Sequence, residues 1–228
     1  MNRSPKIYLI HAGLVSMKPI VDSFVKDWPQ AHLAHVLDDS LPDELARAGR
    51  ITEGLIERFR TLGRYCVAAG ADAILFTCAT FGTAIDAVKR DHRIPVLKPN
   101  ESLAQELGTH PGRVALLGTF ADSLPSMMAE VEEYVPSAGA RPRIELHVVE
   151  GAFEALRRNL PDEHNRLIAA AAARFMDCDV IAFSQFSMTV AADITRSTVA
   201  RPVLTTPHAC VRKLKALFSD SPGAHPWT

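Results

Sequence analysis

The chain has 228 residues, 47% of them hydrophobic and 22% charged, with a formal net charge of −1. That is enough apolar material for one large buried core or two small ones. The near-neutral balance, with Lys and Arg scattered along the chain, offers no electrostatic footprint for nucleic acid and points to a small uncharged or anionic partner.

Ile7 to Ile10 is a short apolar run ending at His11-Ala12-Gly13, read as a buried strand and a turn. It is too short for a signal-peptide core or a membrane span, so a soluble cytoplasmic protein is expected. A helix should begin near Lys18-Pro19, followed by a strand from Leu33 to Leu37. From Asp43 onward, Ile51, Leu55, Phe59, Leu62, Cys66 and Ala69 recur at helical spacing and give one apolar face, with Gly70 as a left-handed stop. Ala73 to Thr77 reads as the third strand, then a helix with Phe81, Ala84, Ile85 and Val88 on one face, a strand at Ile94 to Leu97 and a helix from Glu101 to Leu107. The pattern restarts with a strand and turn at Val114 to Thr119 and a helix through Met127, Met128 and Val131. A strand at Ile144 to Val149, an Ala-rich helix from Asn165 to Met176, strands at Val180 to Ser184 and Pro202 to Leu204, and a helix from His208 to Phe218 complete it. The tail from Ser219 to Thr228 reads as loosely held surface chain.

Strands alternating with helices predict α/β architecture with parallel sheets covered on both faces. Adding 107 to a residue number carries Leu9 onto Leu116, Ser16 onto Ser123, Asp72 onto Asp179, Ile74 onto Ile181, Phe76 onto Phe183 and Pro95-Val96-Leu97 onto Pro202-Val203-Leu204, without a gap. We therefore expect two pseudo-symmetric lobes of about four strands each. The expected boundaries are 1–108, with helix 208–218 packing back on it, and 109–207. Ligands in open parallel sheets bind beyond the carboxyl ends of strands, so a site in the cleft between the lobes is expected. The offset matches Cys78 with Gln185, His11 with Gly118, Ala12 with Thr119, Thr80 with Ser187 and Glu101 with His208.

Cys78 is the pivotal residue. At a junction between a strand and a helix start it would meet the positive end of the helix dipole, which favours the thiolate, while the amides of Ala79 and Thr80 could hold a carboxylate. A buried structural cysteine is the alternative for any lone thiol, and is the reading kept for Cys66, Cys178 and Cys210. No Cys-x-x-Cys pair is present, which argues against a zinc ribbon or a dithiol redox motif. Glu101 and His208 are candidate auxiliary acids or bases, or helix caps. His11 is a candidate substrate-binding group or a surface histidine, and His164, beside Asp162 and Glu163, reads as a solvated helix start. Thr119 and Ser187 offer hydroxyls to an anionic substrate or serve as ordinary turn caps. Dinucleotide, Walker and zinc-protease signatures are missing, so no cofactor and no metal are expected.

These residues resemble the aspartate/glutamate/hydantoin racemase superfamily, which includes arylmalonate decarboxylase and maleate isomerase. The resemblance runs from Ile7 to about Phe218 and rests on the two-lobe repeat, on Gly70-Ala71-Asp72 ending six residues before Cys78, on Gly118-Thr119, and on Asp179 six residues before Gln185. It implies a cofactor-independent enzyme acting at the carbon next to a carboxylate. Family members carry one cysteine per lobe at these two places, so that one thiolate removes a proton and the opposing thiol donates one. Gln185 can do neither, which leaves Cys78 the family's chemical role and Gln185 a binding role. The expectation is a racemase-like isomerase using Cys78 as acid, base or nucleophile on a small carboxylate. The alternatives are a decarboxylase or lyase of the arylmalonate type and a non-catalytic binder of small acids. A homodimer is left open; nucleic acid and membrane are not expected as partners.

Overall fold

The computed structural model describes residues 4–121, 123–137 and 141–219. Of the expected loose tail, only Ser219 lies among the described residues. The chain divides into two compact units, residues 1–99 with 210–228, and residues 100–209.

The first unit contains β1 (Lys6–His11), α1 (Met17–Asp27), β2 (His32–Leu37), α2 (Leu41–Ala48), α3 (Glu53–Ala68), β3 (Ala73–Phe76), α4 (Gly82–Asp91) and β4 (Val96–Leu97). The second begins with α5 (Glu101–Gly108), β5 (Arg113–Gly118), α6 (Ser123–Glu132) and β6 (Arg143–Val148). It continues with α7 (Ala152–Arg157), α8 (Pro161–Ala172), β7 (Val180–Phe183), α9 (Ala192–Thr198) and β8 (Val203–Thr205), and α10 (Thr206–Ser219) runs on into the first unit.

Each unit holds one parallel four-stranded sheet, ordered β2-β1-β3-β4 in the first and β6-β5-β7-β8 in the second. The central strands β3 and β7 are buried along their whole length, as expected of parallel strands with helices on both faces, whereas the edge strands β2 and β6 are half open. The 107-residue offset is literal at three strands. Ile7 pairs with Ala73 and Val114 with Val180; Ile74 pairs with Val96 and Ile181 with Val203. It fails at the edge, where Lys6 pairs with His32 but Arg113 with Arg143, an offset of 111. Asp72 and Asp179 occupy the same structural niche, their carboxylates accepting from the backbone N–H of Lys6 at 2.6 Å and of Arg113 at 2.8 Å. They fix where the first strand of each unit starts.

Several elements differ from the sequence-based expectation, each for a local reason. The helical face from Asp43 to Ala69 is two helices: Gly49, at φ 67°, ends α2, and the Thr52 side chain accepts from Leu55 N–H at 3.2 Å to start α3. Gly70 stops α3 in the left-handed region at φ 80°. The Ala-rich helix starts earlier, at Pro161, with Asp162 and Glu163 favourably placed in its first turn. His164, expected in solvent, is fully buried on the inner face of α8. Burial lowers its pKa, and its Nδ1 lies 3.0 Å from Asn165 Oδ1. Helix α5, expected to close the first lobe, buries Leu103, Ala104 and Leu107 against Val114, Leu116 and Met127 of the second unit. The observed boundaries therefore fall at 99/100 and 209/210. The rest of α10 is tied to the first unit by Cys210 Sγ donating to Pro99 O at 3.1 Å, by Lys215 Nζ donating to Asp27 O at 2.8 Å and by Phe218 against Trp28. Among the described residues no helix is long and apolar enough to cross a membrane.

Candidate active site

Cys78 follows β3 by two residues in an extended conformation, and a three-residue 3-10 turn, Ala79–Phe81, separates it from α4. The expected direct junction with a helix is thus a junction with a tight turn. The turn is anchored from below: Phe59 of α3 stacks on Phe76 of β3 at 5.4 Å and lies against Phe81 at 5.0 Å between ring centroids. All three rings are fully buried, so the thiol is carried on a stiff aromatic support. Cys78 is half-buried and its thiol donates to Thr80 Oγ1 at 3.6 Å; Ala79 and Thr80 are exposed. A crevice too tight to hold a water molecule runs between Cys78, His11, Ala12, Leu41, Phe59 and Phe76.

His11 ends β1 and is fully buried. Its Nδ1 is 2.9 Å from Thr77 Oγ1, and its Nε2 is 3.0 Å from Nδ1 of His35 on β2. Thr77 Oγ1 is 2.8 Å from Ser16 Oγ, which donates to Gly13 O at 3.0 Å. With the His11 ring neutral, one arrangement of protons satisfies all four of these contacts, and it leaves the longer approach of Thr77 Oγ1 to Ile10 O, at 3.4 Å, unused. Ser16 gives its proton to Gly13, so Thr77 must donate to Ser16, His11 Nδ1–H to Thr77, and His35 Nδ1–H to His11 Nε2. The result is a directed chain from His35, exposed on the edge strand, through the residue just before Cys78 to the loop that follows β1. Burial, and then the neighbouring His35, push the His11 pKa down to about 4, so the ring is neutral at physiological pH. Both its nitrogens are occupied, and its influence on a ligand would be exercised through these neighbours. Burial also lowers the pKa of His35. His35, Ser16 and Thr77 escaped the sequence reading. His11 pairs with Leu37, which makes His35 a same-face diagonal neighbour on the adjacent strand, a relation set by the parallel register and not by any local pattern.

The second unit carries the counterpart. Gln185 follows β7 by two residues, in an extended conformation ahead of the 3-10 segment Phe186–Ala191. Its Oε1 accepts from Thr119 N–H at 2.6 Å and from Thr119 Oγ1 at 2.9 Å. At the position matching Thr119 the first unit has Ala12; at the position matching His11 the second has Gly118. The matched strand ends have thus exchanged a histidine-hydroxyl chain for an amide-threonine pair. Ser184, which matches Thr77, is left with a buried hydroxyl lacking a partner among the described residues. Ser187 is half-buried within the 3-10 segment. Glu101 opens α5, and His208 is buried near the start of α10; both belong to the unit 100–209.

Two parallel α/β units of identical strand order, with a thiol beyond the third-strand end of one and an amide at the matching end of the other, define a duplicated α/β protein. A family model described as Asp/Glu/Hydantoin racemase matches residues 40–214, and the chain belongs to that family. The fold is shared with an aspartate racemase homologue from Pyrococcus horikoshii OT3, at TM-score 0.70 and 16% identity over 94% of this chain and 99% of that one. It is also shared with allantoin racemase from Klebsiella pneumoniae (TM-score 0.64, 17% identity, 95% and 88% covered). Unliganded arylmalonate decarboxylase is similar too (TM-score 0.57, 16% identity, 97% and 94% covered). No curated protein matches the chain in sequence.

Proposed function

We propose that the protein is a cofactor-independent racemase-type isomerase acting at the carbon next to the carboxylate of an amino acid or related small acid, with Cys78 as its one reactive thiol. What supports this reading is the setting of Cys78: half-buried, on a turn backed by Phe59, Phe76 and Phe81, while the remaining cysteines are buried. The thiol acts as acid or base at the α-carbon, or as a nucleophile on an unsaturated acid. Amides of Ala79 and Thr80, with Ser187, serve as hydrogen-bond donors to the carboxylate. Gln185 has no acid or base function and can only hydrogen-bond a carboxylate or an enolate oxygen. Glu101 and His208 are the auxiliary acid or base candidates where a second proton transfer is needed.

The same asymmetry favours a lyase as second reading. Loss of carbon dioxide from a malonate-type acid leaves an enolate that needs a proton on one face only, which a single thiol supplies. Amino acids, hydantoins, arylmalonates and maleate incubated in deuterated water with wild type and Cys78→Ala, followed by NMR and chiral chromatography, test both readings. Deuterium at the α-carbon with loss of optical purity identifies the isomerase, and carbon dioxide release with one-handed deuteration identifies the lyase. Turnover that survives Cys78→Ala overturns both.

A further inference from the structure

A backbone N–H can only donate, so the atom of Gln185 lying 2.6 Å from Thr119 N must be its oxygen. The Thr119 hydroxyl donates to that same oxygen at 2.9 Å. The amide orientation, usually ambiguous between oxygen and nitrogen, is therefore fixed here by chemistry rather than by fit. Thr119 is buried, so its N–H and O–H are both spent on Gln185, and the Gln185 NH2 group has no partner among the described residues. We infer that Thr119 is a positioning residue that locks the Gln185 side chain with its NH2 group outward, making position 185 a donor-only contact for an acceptor oxygen of the substrate. This rests on the reading of Gln185 as a substrate-binding residue, and it shifts Thr119 from direct contact with substrate to support of Gln185.

The consequence concerns substrate class. A donor-only group accepts nothing, so the substrate atom it meets is an acceptor, such as a carboxylate, carbonyl or enolate oxygen, rather than an ammonium or amide N–H. It is also uncharged, and stabilises such an oxygen without a counter-ion to desolvate. The equivalent residue of the first unit, Cys78, has no such lock, because Ala12 stands where Thr119 would be.

Two substitutions separate support from contact. Gln185→Glu keeps an oxygen for Thr119 and removes the outward donors; Gln185→Leu keeps the bulk and removes both. In 15N-labelled protein, the Thr119 amide is expected to keep its hydrogen-exchange protection in Gln185→Glu and to lose at least about tenfold in Gln185→Leu, the loss expected of an orphaned buried donor. A comparable loss in Gln185→Glu overturns the orientation. The Gln185 NH2 cross-peaks, assigned by their disappearance in Gln185→Glu, are then followed during titration with maleate as a probe acid. Movement of these peaks in wild type, with binding weakened at least about tenfold in Gln185→Glu, is the expected result. Peaks that stay in place throughout the titration overturn the donor role. Both measurements are made on resting protein, so they succeed or fail independently of the turnover test on Cys78.

Discussion

Acidification to about pH 4 is expected to destabilise the fold through His11 in particular. The residue is fully buried, its ring nitrogens are engaged by Thr77 and His35, and its pKa lies at about 4 instead of 6.5. In the unfolded chain the ring takes up a proton near 6.5; in the fold it refuses one until about 4. The unfolded state therefore binds more protons across this window, and stability must drop as the pH is lowered. The contribution is fully present above 6.5, declines by about 1.4 kcal/mol per pH unit below it, and levels off below about 4 after a loss on the order of 3 kcal/mol. That is a large share of the 5–15 kcal/mol typical of a domain. A proton added at Nε2 would also force His35 from donor to acceptor, reversing one end of the chain that passes Thr77. The assay is urea unfolding at a series of pH values in wild type and His11→Gln, which cannot titrate at this position. His164 and the carboxylates titrate in both proteins, so the difference between the two curves reports His11 together with its contact to His35. Between pH 6.5 and 4 wild type should lose stability more steeply than His11→Gln; parallel curves would refute the assignment of a buried neutral histidine.

Phe59→Ala removes the ring shared by Phe76 and Phe81 and should cost about 3–5 kcal/mol in denaturant unfolding. A cost under about 1 kcal/mol would mean the Cys78 turn does not depend on that support. Gly108→Ala should destabilise by roughly 1–3 kcal/mol, because a Cβ there would sit 2.8 Å from Val131 O and 2.8 Å from Tyr134 Cβ, and a backbone oxygen cannot swing aside. An unchanged melting temperature would contradict that close approach. Thr52→Ala should cost about 1 kcal/mol by freeing the N-terminus of α3, read as a lower thermal midpoint. Iodoacetamide at mildly alkaline pH should label Cys78 first, since Cys178 and Cys210 are buried and burial pushes the Cys66 thiol up to about 12. Peptide mapping by mass spectrometry that finds Cys66 modified in the native protein would contradict its burial.

Much of the fold was legible because parallel strands announce themselves. Ile7 to Ile10, Ile74 to Phe76, Val114 to Leu117 and Ile181 to Phe183 are apolar on both faces and sit at repeated distances, so the duplicated α/β reading needed no tertiary information. The offset of 107 held wherever the chain between two strands has one fixed length in both units, and failed only at β6. Helix ends were harder. Thr52 and Gly49 carry the signals that split α2 from α3, yet an apolar periodicity running across them conceals the break. Short helices such as α7 and α9 have too few turns to show a period.

By itself the sequence determined the duplicated parallel architecture, the family resemblance and the exchange of a cysteine for Gln185 at matched strand ends, because each is a property of which residue occupies which position. The tertiary structure alone decided which groups those residues spend their hydrogen bonds on. His35 reaches His11 from a neighbouring strand, Thr119 locks Gln185 across 66 positions, and helix α5 joins the unit that follows it rather than the one before. Partnerships of that kind depend on distances between segments remote in the chain, and no local pattern encodes them. The setting of the Cys78 thiol on an aromatic support and the hold of Thr119 on the Gln185 oxygen are therefore products of packing within each unit.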